Sequence, residues 1–211
     1  MNFKTTFPHK NTCAHGFTLV ELLVAVGISG VVFAVVASLT FYGGRSFAAM
    51  TNYVDMDSKS RNALDHMSRE IRQADSVINY STATLTSGPF AGKVVTNQIV
   101  LSGKEINGNN QTNYYTLTYT YDPAERELYR VKQVGPTAPK TVLLAECDYL
   151  SFGMFQRNTG NTEDDLFDAI PVNVSGTCKL VQIDWVCSRS LFGNRAHTES
   201  VQSAQVVIRK K

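Results

Sequence analysis

The sequence predicts an α+β fold, in which a long amino-terminal helix crosses a membrane and then packs on an antiparallel β-sheet head. Three observations carry that expectation. From Phe17 to Gly44 the only charged residue is Glu21, and this run exceeds the roughly 20 apolar residues that a spanning helix needs. Beyond it, Tyr53, Met56, Ser60, Leu64, Met67, Ile71, Ala74 and Ile78 recur at steps of three and four, which is one face of a helix. Farther on, Tyr115, Leu117, Tyr119 and Tyr121 alternate with Thr116, Thr118 and Thr120, the period of a strand with two unlike faces.

Composition sets the frame for these elements. The chain has 211 residues, 43% hydrophobic and 18% charged, as an ordinary folded protein does. A formal charge of +2 is too small to imply a nucleic-acid surface. Residues 1–16 form a short polar leader that carries Lys4, His9, Lys10 and His15 and no acid. The positive-inside bias therefore keeps the leader in the cytoplasm and sends the rest of the chain outward. Residues 17–44 are the transmembrane helix, 45–80 its amphipathic continuation and 81–211 the globular β head. On the continuation, Asp55 with Lys59, Asp57 with Arg61 and Asp65 with Arg69 stand acid-first at i,i+4, the favourable order for a solvated face. A helix running to Ile78 would be about 90 Å long, so its outer part must leave the bilayer and pack on something.

The boundary between leader and apolar run carries the sharpest signal. His15-Gly16-Phe17-Thr18-Leu19-Val20-Glu21-Leu22-Leu23 puts a glycine at the junction and an acid shortly after it, whereas an ordinary secretory signal is cut after its apolar core. This segment resembles the class III signal of type IV prepilins. The resemblance implies cleavage by a prepilin peptidase between Gly16 and Phe17, N-methylation of Phe17, and Glu21 as the carboxylate that guides assembly. It also implies an inner-membrane precursor with a periplasmic head, later built into a filament with other minor and major pilins or pseudopilins. Physics agrees about Glu21, because an acid in hydrocarbon costs about 2.5–3.5 kcal/mol on insertion scales and wants a partner. In the family that partner is a neighbouring subunit's amino terminus; the competing reading is a carboxylate that snorkels to the headgroups. The helix lacks proline, leaving Gly27 and Gly30 either as points of local melting or as small residues for close helix packing.

In the head, strands are expected over 94–101, 115–121, 128–134, 142–155 with an internal break, 180–187 and 204–209. Asp122-Pro123-Ala124-Glu125 is the turn of a hairpin, and polar glycine-containing loops are expected at 106–112, 158–165 and 192–198. Met67-Ser68-Arg69-Glu70-Ile71-Arg72-Gln73-Ala74 resembles the RExRQA stretch of minor pilins, and the segment from Tyr121-Asp122 to Leu128-Tyr129-Arg130 resembles their following hairpin. Both favour the group that includes the W-type minor pilin and the J-type type II secretion pseudopilin.

The search for chemistry yields little. Cys13 would leave with the leader, and Cys147, Cys178 and Cys187 would enter an oxidising compartment, where one disulfide and one free thiol is the simplest expectation. Cys178 with Cys187 or Cys147 with Cys178 are the favoured pairings, because Cys187 shares the alternating face of Val181, Ile183 and Trp185 and reads as buried; the competing reading is three reduced cysteines that serve as small core residues. No CxxC or paired-histidine spacing suits zinc, so no metal site is assigned. Glu163, Asp164, Asp165 and Asp168, flanked by Asn158 and Asn161, read as a solvated acidic loop, with calcium as the alternative ligand. No Walker loop, GxSxG or HExxH occurs, and no enzyme is expected.

Without Lys4 and Lys10 the chain holds 18 basic and 18 acidic residues, so nucleic acid is not an expected partner, and the tail Arg209-Lys210-Lys211 reads as a solvated end. Tyr114 and Tyr115 are expected to pack the sheet rather than to stack bases. Two rivals stand beside the filament subunit: an uncleaved signal-anchored periplasmic binding module, and a DNA-binding pilin of the competence type.

Overall fold

A computed structural model describes residues 16–106, 108, 110–135, 138–157, 167–169, 177–190 and 199–209, with backbone only at 167–169 and 199. Helix α1 runs Leu19–Gln73, and among the described residues it is followed by nine strands. The chain divides into two compact units, one ending at Phe47 and one beginning at Ala48.

The first unit is helical from Leu19, and its apolar side chains are exposed on every side, among them Leu23, Val26, Phe33, Leu39 and Phe41. A helix apolar all round suits a lipid or helix-bundle interior rather than water. Among the described residues this helix alone is long and apolar enough to cross a membrane. Gly27 and Gly30 lie within it without interrupting it.

In the second unit the helical stripe falls largely as expected. Met56, Ser60, Met67 and Ile71 are buried, joined by Ala63, while Leu64 is half-buried and Tyr53 stays exposed. Asp55–Lys59 and Asp57–Arg61 close at 2.8 Å, but Asp65 and Arg69 do not pair. The helix stops earlier than its periodicity predicts, at Gln73 rather than Ile78 or residue 80. The Ala74 N–H is shared between the carbonyls of Glu70 and Ile71, and the Asp75 N–H turns to the Ser102 carbonyl at 2.8 Å, which starts a strand. That strand, β1 (Ser76–Thr84), pairs along β2 (Val94–Ile106). Val77 and Ile78 fit a helical stripe and a strand equally well, and pairing with β2 decides between them.

The strands form two antiparallel sheets where the sequence reading expected one. β1, β2, β3 (Thr112–Asp122), β4 (Glu127–Gln133) and β5 (Lys140–Leu144) make a meander in chain order. β7 (Phe167–Ala169), β6 (Cys147–Arg157), β8 (Leu180–Ser188) and β9 (Glu199–Val207) make the second sheet, in that order. The expected break within 142–155 falls at Glu146, whose φ of 62° turns the chain from one sheet to the other. The sheets meet where the Phe152 N–H donates to Thr96 Oγ1 at 2.8 Å and the Tyr80 hydroxyl donates to the Phe152 carbonyl at 2.7 Å. Ile99, Leu117, Tyr119 and Leu128 from the first sheet, and Leu150, Phe152, Ile183 and Trp185 from the second, share one core with the helix stripe. Tyr115 packs into the sheet as expected, but Tyr114 on the opposite face is 78% exposed, because strand alternation turns adjacent side chains apart.

Gly103 stands directly across from Tyr115 in the β2–β3 register, and the tyrosine ring occupies the place a Cβ on Gly103 would take. On the same ring, Lys132 Nζ sits 4.4 Å from the centroid. Gly103→Ala must displace that ring, so it is expected to lower stability by about 1–3 kcal/mol in denaturant unfolding. Adding Tyr115→Ala should make the glycine substitution nearly silent.

Burial pushes the phenols of Tyr119 and Tyr121 well above the ordinary tyrosine range, and at Tyr119 the Glu70 carboxylate adds to the effect. A raised pKa means that the fold holds the proton more tightly than the unfolded chain does. The associated stability is complete below about pH 10 and is lost as pH rises through the folded value. Stability should therefore fall by about 1.4 kcal/mol per pH unit for each such tyrosine above pH 10, and Tyr119→Phe should remove one proton's worth of that slope.

Candidate assembly site at the start of the helix

The helix begins with a reciprocal cap built by four consecutive residues. Thr18 precedes the first helical residue, Leu19, and its side-chain oxygen accepts the Glu21 N–H at 3.3 Å. In return Glu21 Oε2 accepts the Thr18 N–H and the Thr18 hydroxyl, each at 2.9 Å. This is a capping box, which satisfies amide donors that a helix start otherwise leaves orphaned. Its spacing, Thr18-Leu19-Val20-Glu21, is legible in the sequence as T-x-x-E, yet the cost of the acid in lipid drew attention to Glu21 alone.

The arrangement changes how Glu21 is to be understood. In the single chain its carboxylate already has partners, and the negative charge lies in the first helical turn, where the helix dipole favours it. Phe17, immediately before the cap, is 85% exposed, and Gly16 has no heavy atom close to where a side chain would project. The Gly16–Phe17 peptide thus precedes the helix rather than lying within it. A backbone outside helical hydrogen bonding is the form a peptidase can engage.

The other sequence-nominated groups lie in the head and do not form one site. Cys147, Cys178 and Cys187 are all buried. Strand register sets Cys147 across from Cys187, while Cys178 precedes β8 and lies at the opposite end of that strand. Neither pairing favoured from sequence matches this layout, because the antiparallel β6–β8 pairing joins the first cysteine to the last. The acidic cluster of Glu163, Asp164 and Asp165, with Asn158 and Asn161, lies outside the described residues, as does the side chain of Asp168. Among the described residues no three His, Cys, Asp or Glu side chains gather as a metal site would require.

Two polar clusters in the head escaped the sequence reading as interactions. Glu70 of α1 takes the Tyr119 hydroxyl at 2.6 Å and Arg130 Nε at 2.7 Å, while its second oxygen pairs with the other arm of the Arg130 fork. His66 Nδ1 stands 3.4 Å away, one helical turn earlier. The second cluster centres on Arg126, in a left-handed conformation (φ 56°) at the β3–β4 turn. Its guanidinium pairs with Asp148 at 2.7 Å and donates to the Ser188 carbonyl at 2.7 Å, and Ser188 also bonds Asp148 through its hydroxyl. Arg126 thereby ties a turn of the first sheet to β6 and β8 of the second. A cavity of about 480 Å³ between the β1–β2 and β3–β4 turns includes Gly88, Asp122, Arg126 and Asp148 in its walls.

Residues 11–37 match the model of the prokaryotic N-terminal methylation motif. No curated protein matches the chain. The motif spans the capped helix start and most of the apolar run, and it implies processing by prepilin peptidase and assembly with other pilins. It suggests a structural subunit rather than an enzyme, and the exposed apolar helix is consistent with a membrane anchor. The match over this amino-terminal segment thus supports a type IV pilin-like prepilin.

Proposed function

We propose that the protein is a minor pilin or type II secretion pseudopilin that is stored in the inner membrane with its head periplasmic, then cut, methylated and built into a filament that it initiates or caps. The observation that carries this reading is the methylation-motif match lying over a single acid at the mouth of an otherwise uncharged apolar helix. Residues 1–16 are the leader, the Gly16–Phe17 bond is cut, and Phe17 becomes the methylated amino terminus. Glu21 is the assembly carboxylate, and in the filament its charge pairs with the terminal amine of a neighbouring subunit. The helix cap supports such a role, because it holds the carboxylate at the chain's start, close in sequence to where the new amine arises. The minor-subunit assignment draws on the Glu70 segment and the hairpin after it, which resemble those of minor pilins.

Intact-mass spectrometry of the protein from its native membrane, with fragmentation of its amino terminus, tests the reading. A chain that begins at methylated Phe17 is expected, and Gly16→Ala should leave the precursor uncut. A retained leader, in cells that process other prepilins, would instead leave a tethered head whose ligand must be sought. Deletion distinguishes the two systems, since a pilus subunit takes pili with it and a pseudopilin takes protein secretion.

A further inference from the structure

Cys147 opens β6 and Cys187 stands near the end of β8, and the two are direct partners across the ladder. One step outward, the Ser188 N–H donates to the Glu146 carbonyl at 3.0 Å, while the Cys147 N–H goes to the Arg126 carbonyl at 2.8 Å instead of to Cys187. The cysteines therefore occupy a non-hydrogen-bonded position. There the α-carbons of an antiparallel pair approach to about 4.5 Å, within the roughly 4.4–6.8 Å that a disulfide spans. The Cys147 thiol donates to the Tyr149 carbonyl at 3.2 Å, and the nearby Cys187 thiol pushes Cys147 above the ordinary thiol range while Cys147 draws Cys187 below it. Cys178 lies at the far end of the strand, away from the Cys147–Cys187 pairing, and its thiol donates to the Leu180 carbonyl at 3.4 Å.

We infer that Cys147 and Cys187 form a disulfide in the mature protein and that Cys178 stays a buried thiol. Both sulfurs are sealed in the finished fold, beneath Ser60 of α1 and beside the Arg126–Asp148 pair. The bond must therefore form before the helix closes over the sheet. The thiolate of one cysteine attacks a sulfur of a donor disulfide, either a protein dithiol oxidase or a small-molecule disulfide, making a mixed disulfide and releasing one donor thiolate. The second cysteine, deprotonated, then attacks the first and releases the other donor sulfur. The pair loses two electrons and two protons, and the donor is reduced to two thiols. The resulting loop encloses β6, β7 and β8 with the long connections between them, so it removes substantial freedom from the unfolded chain.

The inference rests on the proposed export of the head, since a cytosolic head would stay reduced. Full-length protein is alkylated during denaturation straight from its native membranes, without reductant, and its peptides are mapped. One alkylated head cysteine, Cys178, and a peptide linking Cys147 to Cys187 are expected, unchanged in Cys178→Ser. Alkylation of both Cys147 and Cys187, or a linkage through Cys178, would overturn it. A parallel sample, reduced, unfolded and refolded in detergent with oxidised glutathione, shows which premise failed. A link made there but absent in cells faults export, and a link absent in both faults the strand geometry. The linked form should melt about 5–15 °C above the reduced form.

Discussion

Glu70→Ala should lower the stability of the head by about 3–5 kcal/mol, the largest effect expected of any single substitution within it. The carboxylate is held by two partners from adjacent strands, the Tyr119 hydroxyl at 2.6 Å and the Arg130 fork, and all three groups are mostly out of water. The Arg130 side chain is 16% exposed, so removing Glu70 leaves a nearly buried charge without its counter-ion and a buried hydroxyl without its acceptor. That asymmetry, rather than the strength of the pair itself, sets the size of the loss. Glu70→Gln keeps the shape and should cost less. Glu70→Leu combined with Arg130→Met should recover much of the stability, because it removes both charges and leaves neither stranded. Thermal melts of the four proteins in detergent check this. If Glu70→Ala melts within 2 °C or so of the parent, where about 6–20 °C is expected, the network contributes little.

Glu21→Ala should leave the protein inserted in the membrane yet reduce its incorporation into filaments at least tenfold. Loss of the acid relieves about 2.5–3.5 kcal/mol of insertion cost, so the anchor cannot be weakened by it. A tenfold loss of assembly corresponds to only about 1.4 kcal/mol, less than a charge pair in a low-dielectric bundle can supply. The capping box makes a sharper comparison available. Glutamine completes a capping box as glutamate does, so Glu21→Gln preserves the helix start while removing the charge. If the carboxylate serves assembly through its charge, Glu21→Gln fails as Glu21→Ala does. If it serves only to cap the helix, Glu21→Gln incorporates normally and the assembly role is lost. Thr18→Val completes the set, because it weakens the cap and spares the acid.

The two glutamates differ in how far the chain alone announces them. Glu21 stands out by what surrounds it, since one acid in an apolar run is conspicuous without any structure. Glu70 lies among Arg69, Arg72 and Asp65 on a polar helix and has no visible distinction until β3 and β4 fold against it. Its resemblance to a minor-pilin segment marked the place but not the contacts. The same division holds for the cysteines. Burial of Cys187 follows from its alternation with Val181, Ile183 and Trp185, but its partner depends on a β6–β8 register that no local pattern contains.

Periodicity along the chain was enough to specify the apolar helix, its amphipathic continuation, the β3–β4 hairpin and most other strands, because each reflects near neighbours seeking one buried face. Where the helix gives way to β1 was settled by tertiary pairing, as Val77 and Ile78 suit either period and the hydrogen bonds of β2 select the strand. The division into two sheets was settled likewise, by the left-handed turn at Glu146 and the cross-sheet ties at Thr96 and Arg126. Hydrogen bonds and ion pairs between distant segments carry no periodic signature. Only the folded chain shows which acid meets which base and which thiol faces which.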